Sequence, residues 1–313
     1  MIKLNNSNII KYLAFFSIYL IWGSTYMLNK VAVMELPPFM LAGIRFTVAG
    51  TLMLTLASLF GKPIFMSKIQ LKNSMIAGFL FLAIGNGVVV WALSYVDTGF
   101  AALIIASQPL IVLLLLRVVE RKPVKKLSWI GVGIGLLGMT LLVSQQQVRQ
   151  DTSSLIGIFM IIGCVITWGY ASIFVGKADL PKNYLVNSGY QMVFGGCALV
   201  VMSIIKREQW ISPQSWSLEV IWSMLGLIVF GSLVAFTSFN YLLKTVSPEK
   251  VATSTYINPI VALILGALVL DEVVTLQSII AALVLLTGVY FINMKRSPAV
   301  YLRRRAMRRI KPN

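Results

Sequence analysis

Ten apolar stretches follow one another through the chain with only short polar breaks between them, and each is close to the roughly 20 residues an α-helix needs to cross a hydrocarbon core. They fall at about 10–32, 38–60, 74–95, 99–117, 127–145, 155–176, 184–205, 219–243, 248–270 and 273–294. With 58% hydrophobic and 12% charged residues over 313 positions, and a mean hydropathy of +0.85, the chain has too little polar surface to face water on all sides. The sequence therefore predicts an all-α membrane protein of ten transmembrane helices. The breaks between the stretches are too short for an extramembrane domain.

Charge gives the expected orientation. The formal net charge of +17 suggests an anionic partner until its distribution is considered. If the N-terminus is cytoplasmic and ten helices alternate, only Lys30, Arg149, Lys206 and Arg207 fall in outer loops, and Arg45 alone falls inside a span. Every other basic residue lies on the cytoplasmic side, as the positive-inside rule requires. Both termini are thus expected in the cytoplasm. The tail 295–313 carries Lys295, Arg296, Arg303, Arg304, Arg305, Arg308, Arg309 and Lys311, each able to add about 1 kcal/mol of attraction to anionic lipids. Val300, Leu302, Met307 and Ile310 would suit an interfacial helix, and a disordered tail held near headgroups is the simpler alternative. Nucleic acid is not the expected partner. The lysines before the first apolar run resemble a signal peptide, but no small-residue cleavage pattern follows, so a retained first helix is expected.

The second five stretches echo the first five. Trp22-Gly23 returns as Trp168-Gly169, and Trp22 to Arg45 spans the same 23 residues as Trp168 to Gln191, at an offset of 146. Later in each half the offset is 150: Tyr95 to Thr245, Ala102 to Ala252, Pro109 to Pro259, Gly138 to Gly288. Five spans is an odd number, so two successive copies, 1–150 and 151–313, must lie in opposite orientations.

Ile21-Trp22-Gly23-Ser24-Thr25-Tyr26, Pro37-Pro38 with Gly43-x-Arg45-Phe46, the Gly85-Asn86-Gly87 turn, and Tyr256-x-Asn258-Pro259 with Glu272 beyond it resemble the EamA family of the drug/metabolite transporter superfamily. The similarity spans nearly the whole chain and is nearest to bacterial inner-membrane exporters. It implies ten helices in two EamA repeats and export of small metabolites without ATP hydrolysis. In the second copy Tyr26 becomes Ser172 and Arg45 becomes Gln191, so the halves would contribute different polar groups to a shared cavity.

What lipid forbids selects the candidate site. A charged side chain at the bilayer centre costs roughly 3 kcal/mol on insertion scales. Arg45 lies about 10 Å into its helix at roughly 1.5 Å per residue. It would either grip a substrate carboxylate bidentately or serve as a structural pin snorkelling outward or holding helix-end carbonyls. Pro109 and Pro259 free backbone carbonyls in mid-span, marking hinges or kinks, with Gln108 and Asn258 supplying amides beside them. Trp22, Tyr26, Trp91, Trp168, Tyr241 and Tyr256 would stack on an apolar or aromatic substrate or pack between helices, and the repeat-related Trp22 and Trp168 are the favoured pair. Asn86, Gln191 and Asn240 complete the polar candidates, with interhelical bonding as the alternative.

Other chemistries find no support. Gly133-x-Gly135-x-x-Gly138 matches a dinucleotide fingerprint but lies in an apolar span without a preceding strand, so a small-residue packing face is the better reading. Histidine is absent, the acids sit near span ends, and Cys164 and Cys197 lie within spans, so neither a catalytic set, a metal site, a disulfide nor a cofactor is expected. An intramembrane enzyme would need groups not found here. A mere scaffold would have little reason to keep polar residues and prolines in register across two halves. The expectation is a carrier of a small-molecule substrate, monomeric or homodimeric.

Overall fold

A computed structural model describes residues 6–121, 126–144 and 152–293; the basic tail 295–313 and Arg149 lie outside them. The described residues are helical, without strands. Seven helices are long and apolar enough to cross a membrane, and three shorter apolar helices, Leu127–Leu141, Asn258–Val269 and Leu276–Gly288, fall in the remaining apolar stretches.

The first half runs α1 (Asn6–Val33), α2 (Pro38–Leu59), α3 (Lys68–Gly78), a π-helical segment Phe79–Gly87, α4 (Val88–Ala92), α5 (Thr98–Ile105), α6 (Gln108–Val119) and α7 (Lys126–Ser144). The second half runs α8 (Thr152–Lys177), α9 (Tyr184–Ile205), α10 (Leu218–Gly226), a π-helical segment Leu227–Phe236, α11 (Thr237–Thr245), α12 (Pro248–Val251), a 3-10 turn Ala252–Tyr256, α13 (Asn258–Val269) and α14 (Leu276–Asn293). Local chemistry sets the starts. Pro37-Pro38 opens α2, a Ser67–Gln70 capping box opens α3, and the Asn183 side chain accepts from the amides of Leu185 and Val186 to open α9.

Two stretches read as continuous spans are interrupted. Ala106 and Ser107 form a turn between α5 and α6, and the 3-10 turn separates α12 from α13. Pro109 and Pro259 stand at the second positions of α6 and α13, where a missing N–H is tolerated but the preceding turn cannot remain α-helical. The Ser107 hydroxyl donates to the Ile104 carbonyl at 2.7 Å, and that of Thr255 to Ala252 at 2.7 Å.

Glycines hold the main seams. A methyl group on Gly50 of α2 would stand 2.6 Å from the Val193 nitrogen of α9, and one on Gly196 would stand 2.6 Å from the Thr47 nitrogen. Gly196 is Gly50 shifted by 146, and Thr47 is Val193 shifted back by 146, so the contact is reciprocal. The order of the contacts makes α2 and α9 antiparallel. The α7–α14 pair is likewise antiparallel: Gly138 abuts Leu285, and Gly288 abuts the backbone of Gly131 and Gly135. Gly133 has open space around it. The left-handed residues repeat as well, with φ of +64° at Gly61 and +56° at Arg207, 146 residues apart, and of +51° at Arg121 and +52° at Asp271, 150 apart.

Carboxylates at the helix ends tie the halves together. Glu208 accepts from the amides of Phe39 (3.2 Å) and Met40 (2.8 Å) at the start of α2, and Glu272 accepts from those of Thr98 (2.8 Å) and Gly99 (3.2 Å) at the start of α5. The surface is the reverse of a soluble protein's. Leu137, Phe159, Leu268 and Leu283 are largely exposed, while Arg45, Asn187, Gln191 and Asn240 are buried.

Candidate functional site

Trp22, Thr25, Tyr26 and Asn29 recur at i, i+3, i+4 and i+7 on α1, so they share one face. That face lines a cavity of about 90 Å³. Across from it stand Cys164, Val165 and Trp168 of α8. Gly85 and Asn86 arrive on the first π segment and Arg45 on α2. Gln108 and Asn258 project from the helix starts that follow the two breaks. Seven of the residues singled out in the sequence therefore meet here: Trp22, Tyr26, Arg45, Asn86, Gln108, Trp168 and Asn258.

The two tryptophans form the cavity's aromatic wall. Their ring centroids are 5.8 Å apart at 87°, and both pack on Phe239, at 4.9 Å from Trp22 and 5.6 Å from Trp168; Phe81 adds a further edge against Trp168 at 4.9 Å. Gly85 makes room for the Trp168 ring, since a methyl group there would lie 2.8 Å from Cε3. Beyond this wall a second space of about 30 Å³ is bordered by Phe239, Leu243, Pro248 and Val251, with Trp22, Trp168, Gln108 and Thr255 facing both.

Arg45 is buried and held by neutral groups only. Its Nε donates to Ser232 Oγ at 3.0 Å and its Nη1 to Asn29 Oδ1 at 3.4 Å, and its guanidinium carbon sits 4.5 Å from the Phe46 ring centroid. Asn29 is fixed in turn by donating to the Thr25 carbonyl at 2.7 Å. No carboxylate lies within ion-pair distance of Arg45 among the described residues, and none lines the cavity. Gly231, beside Ser232 on the second π segment, leaves space for Nη2 and accepts a hydrogen bond from Trp22 Nε1 at 3.3 Å. One π turn thus positions both the cation and an indole. π-Helical turns recur at functional sites because they re-aim backbone carbonyls and side chains.

Two further polar atoms at the cavity are unspent. Asn86 Oδ1 and Gln108 Nε2 are buried without a hydrogen-bond partner among the described residues. Asn258 differs. With its amide nitrogen turned toward α1, the orientation its neighbours require, it donates to the carbonyls of Tyr19 (2.8 Å), Ile18 (3.1 Å) and Ser254 (3.2 Å). Its side chain pins the start of α13 to α1.

Other candidates lie elsewhere. Gln191 and Asn240 belong to a buried amide network, in which Gln191 Nε2 donates to Asn187 Oδ1 (2.9 Å), Asn187 to Asn240 Oδ1 (3.4 Å), and Asn240 to Ser188 Oγ (3.2 Å). Trp91 packs on Phe39 beneath Lys206, whose Nζ is 3.5 Å from its ring centroid. Burial lowers the Lys206 ammonium below the usual lysine range, against the pull of Glu208. Tyr241 pairs with Tyr184 on a different face. Tyr256 ends the 3-10 turn, and its side chain lies outside the described set. Sequence reasoning passed over Thr25, Asn29, Ser232 and Thr255. The first two were findable, because they continue the face begun by Trp22 and Tyr26. Ser232 sits alone in an apolar run and gives no periodic signal.

The family model described as EamA-like transporter family matches twice, over residues 9–144 and 155–294. The chain is 35% identical over 254 residues to the "Uncharacterized inner membrane transporter YedA" of Escherichia coli K12, covering 81% of this chain and 80% of that protein. It is 23% identical over 280 residues to the "Uncharacterized transporter YoaV" of Bacillus subtilis, covering 89% and 94%. A solved crystal structure matches with a TM-score of 0.66 over 91% of this chain and 97% of its own, at 16% identity, which speaks for a shared fold alone.

Proposed function

The chain belongs to the EamA-like transporter family and is a multi-pass protein of the inner membrane, and from that premise we propose that it is a secondary transporter exporting a small, carboxylate-bearing metabolite, amino-acid-like or amphipathic, by alternating access. In this reading the three shorter apolar helices also span, giving ten. The halves 1–150 and 151–313 are inverted repeats, and both termini are cytoplasmic. The antiparallel, reciprocal glycine seams and the paired left-handed residues support the inversion. A monomer and a homodimer are both compatible with it.

One observation carries the substrate class: a buried guanidinium, bonded only to a hydroxyl and an amide, faces a cavity without a counter-ion. Holding a bare cation in a low-dielectric site is costly, and an entering carboxylate offsets that cost by bidentate pairing. The tryptophan wall would take the apolar part of the same molecule. At about 90 Å³ the cavity is well below the roughly 300–1,000 Å³ of drug-sized sites. The substrate is therefore small, or the cavity widens to admit it.

Counterflow of labelled amino acids and amphipathic carboxylates into reconstituted vesicles tests the reading. Arg45→Gln should cut carboxylate flux at least about tenfold, the equivalent of about 1.4 kcal/mol, while abundance and detergent stability are retained. Flux at the wild-type rate, or equal loss of flux and folded protein, would return Arg45 to a structural role.

A further inference from the structure

A groove of about 570 Å³ opens between the beginning of α1, the start of α9 and the flank of α11, and shares no lining residue with the central cavity. Its two walls differ chemically. On α1, Ile10 and Leu13 stand more than half exposed, continuous with exposed Tyr12 and Phe16. The facing wall carries Lys182 just ahead of α9, Tyr184 on its first turn, and Tyr241 of α11, the two rings edge to face with centroids 5.1 Å apart.

The charge in the groove is uncompensated. Lys182 is exposed and makes no ion pair or hydrogen bond among the described residues, and no carboxylate lines the groove. The α9 amides do not supply the attraction, because the Asn183 side chain already occupies those of Leu185 and Val186. The polar wall therefore presents one lysine ammonium, the two tyrosines, and Thr237 and Ser238 of α11 beside an apolar strip. Ile10 and Lys182 both belong to helix beginnings, at the depth where a spanning protein meets headgroups and where tyrosine is favoured.

We propose that this groove seats one anionic phospholipid, its phosphate against Lys182 and the tyrosine pair and an acyl chain along Ile10 and Leu13. A soluble anion would leave the apolar wall facing water, and a zwitterionic lipid would bring its own cation to the lysine. On the proposed topology the site lies in the cytoplasmic leaflet, the leaflet that carries the negative surface potential.

Native mass spectrometry of the full-length protein, released from micelles containing equimolar phosphatidylglycerol and phosphatidylcholine, tests this. One phosphatidylglycerol should be retained preferentially. Lys182→Gln should lower that preference about fivefold with an unchanged size-exclusion profile, and millimolar glycerol phosphate should not displace the lipid. The full-length variant with Arg303, Arg304, Arg305, Arg308 and Arg309 all changed to Gln should keep the preference. Equal retention of the two lipids, an unaffected Lys182→Gln protein, or a preference lost only in the tail variant would each overturn the proposal.

Discussion

Trp22 and Trp168 meet edge to face at 5.8 Å, although 146 residues separate them and each stands at the same place in its half of the chain. The glycine after each lets its own helix press closely on an interrupted one. Gly23 lets α1 close on Val261 and the Asn258 carbonyl, and Gly169 lets α8 close on Leu115 and the Gln108 amide. The indole pair thus lies where two unbroken helices press on the two interrupted ones.

If the pair forms the apolar wall for the substrate, Trp22→Ala and Trp168→Ala should each cut counterflow severely, and Trp→Phe should retain part of it. A double-mutant cycle on detergent melting should return a coupling of about 0.5–1.5 kcal/mol between the two rings. Independent, additive effects would mean that the contact carries no energy of its own.

The Ser232 hydroxyl accepts from Arg45 Nε at 3.0 Å but does not itself line the cavity. Ser232→Ala removes one hydrogen bond to a charged group, worth about 1.5–3 kcal/mol, so KM for a carboxylated substrate should rise by about tenfold or more while Ser232→Thr restores much of it. Substrate titrations of initial flux measure this. An unchanged KM in the alanine variant would show that Arg45 is set by α2 alone.

Two glycines separate a packing role from mere composition. Gly50→Ala places a methyl group 2.6 Å from the Val193 nitrogen and should force α2 off α9, lowering the yield of monodisperse protein. Gly133→Ala meets nothing within 4 Å and should be neutral or stabilising by about 0.5–1 kcal/mol through helix propensity. Fluorescence size-exclusion and melting curves compare them, and similar behaviour of both variants would refute the seam.

Cys164 lines the cavity with its thiol donating to the Ile84 carbonyl at 3.4 Å, whereas Cys197 is exposed on the outside of α9. In a Cys197→Ser protein, maleimide should label Cys164 slowly, and saturating substrate should slow the labelling further. A labelling rate indifferent to substrate would place transport elsewhere.

The chain announced much of this arrangement. Arg45 was visible because a lone cation in an apolar span needs a reason, and Trp22 and Trp168 because a repeat makes two residues vouch for one another. Pro109 and Pro259 marked where helices break, since that consequence is local. Trp91, Gln191, Asn240 and Tyr241 carried the same kind of signal, yet they face other surfaces. Which way a mid-span polar or aromatic residue points depends on helix rotation, and apolar sequence of this kind, bounded by lipid on one side and protein on the other, hardly encodes it. The π segments were hidden for a related reason. Gly85 and Gly231 make room there for the Trp168 ring and the Arg45 guanidinium, which come from distant helices, and no residue type signals a widened turn.

The glycine seams also limit how the molecule can move. Where backbones approach through Gly50 and Gly196, or through Gly138 and Gly288, the contacts are so close that a shift of one helix along the other would drive side chains into backbone. If the chamber around Arg45 widens during transport, the breaks at Ser107 and Ile257 offer the bending points, because the helical hydrogen-bond ladder is already interrupted there.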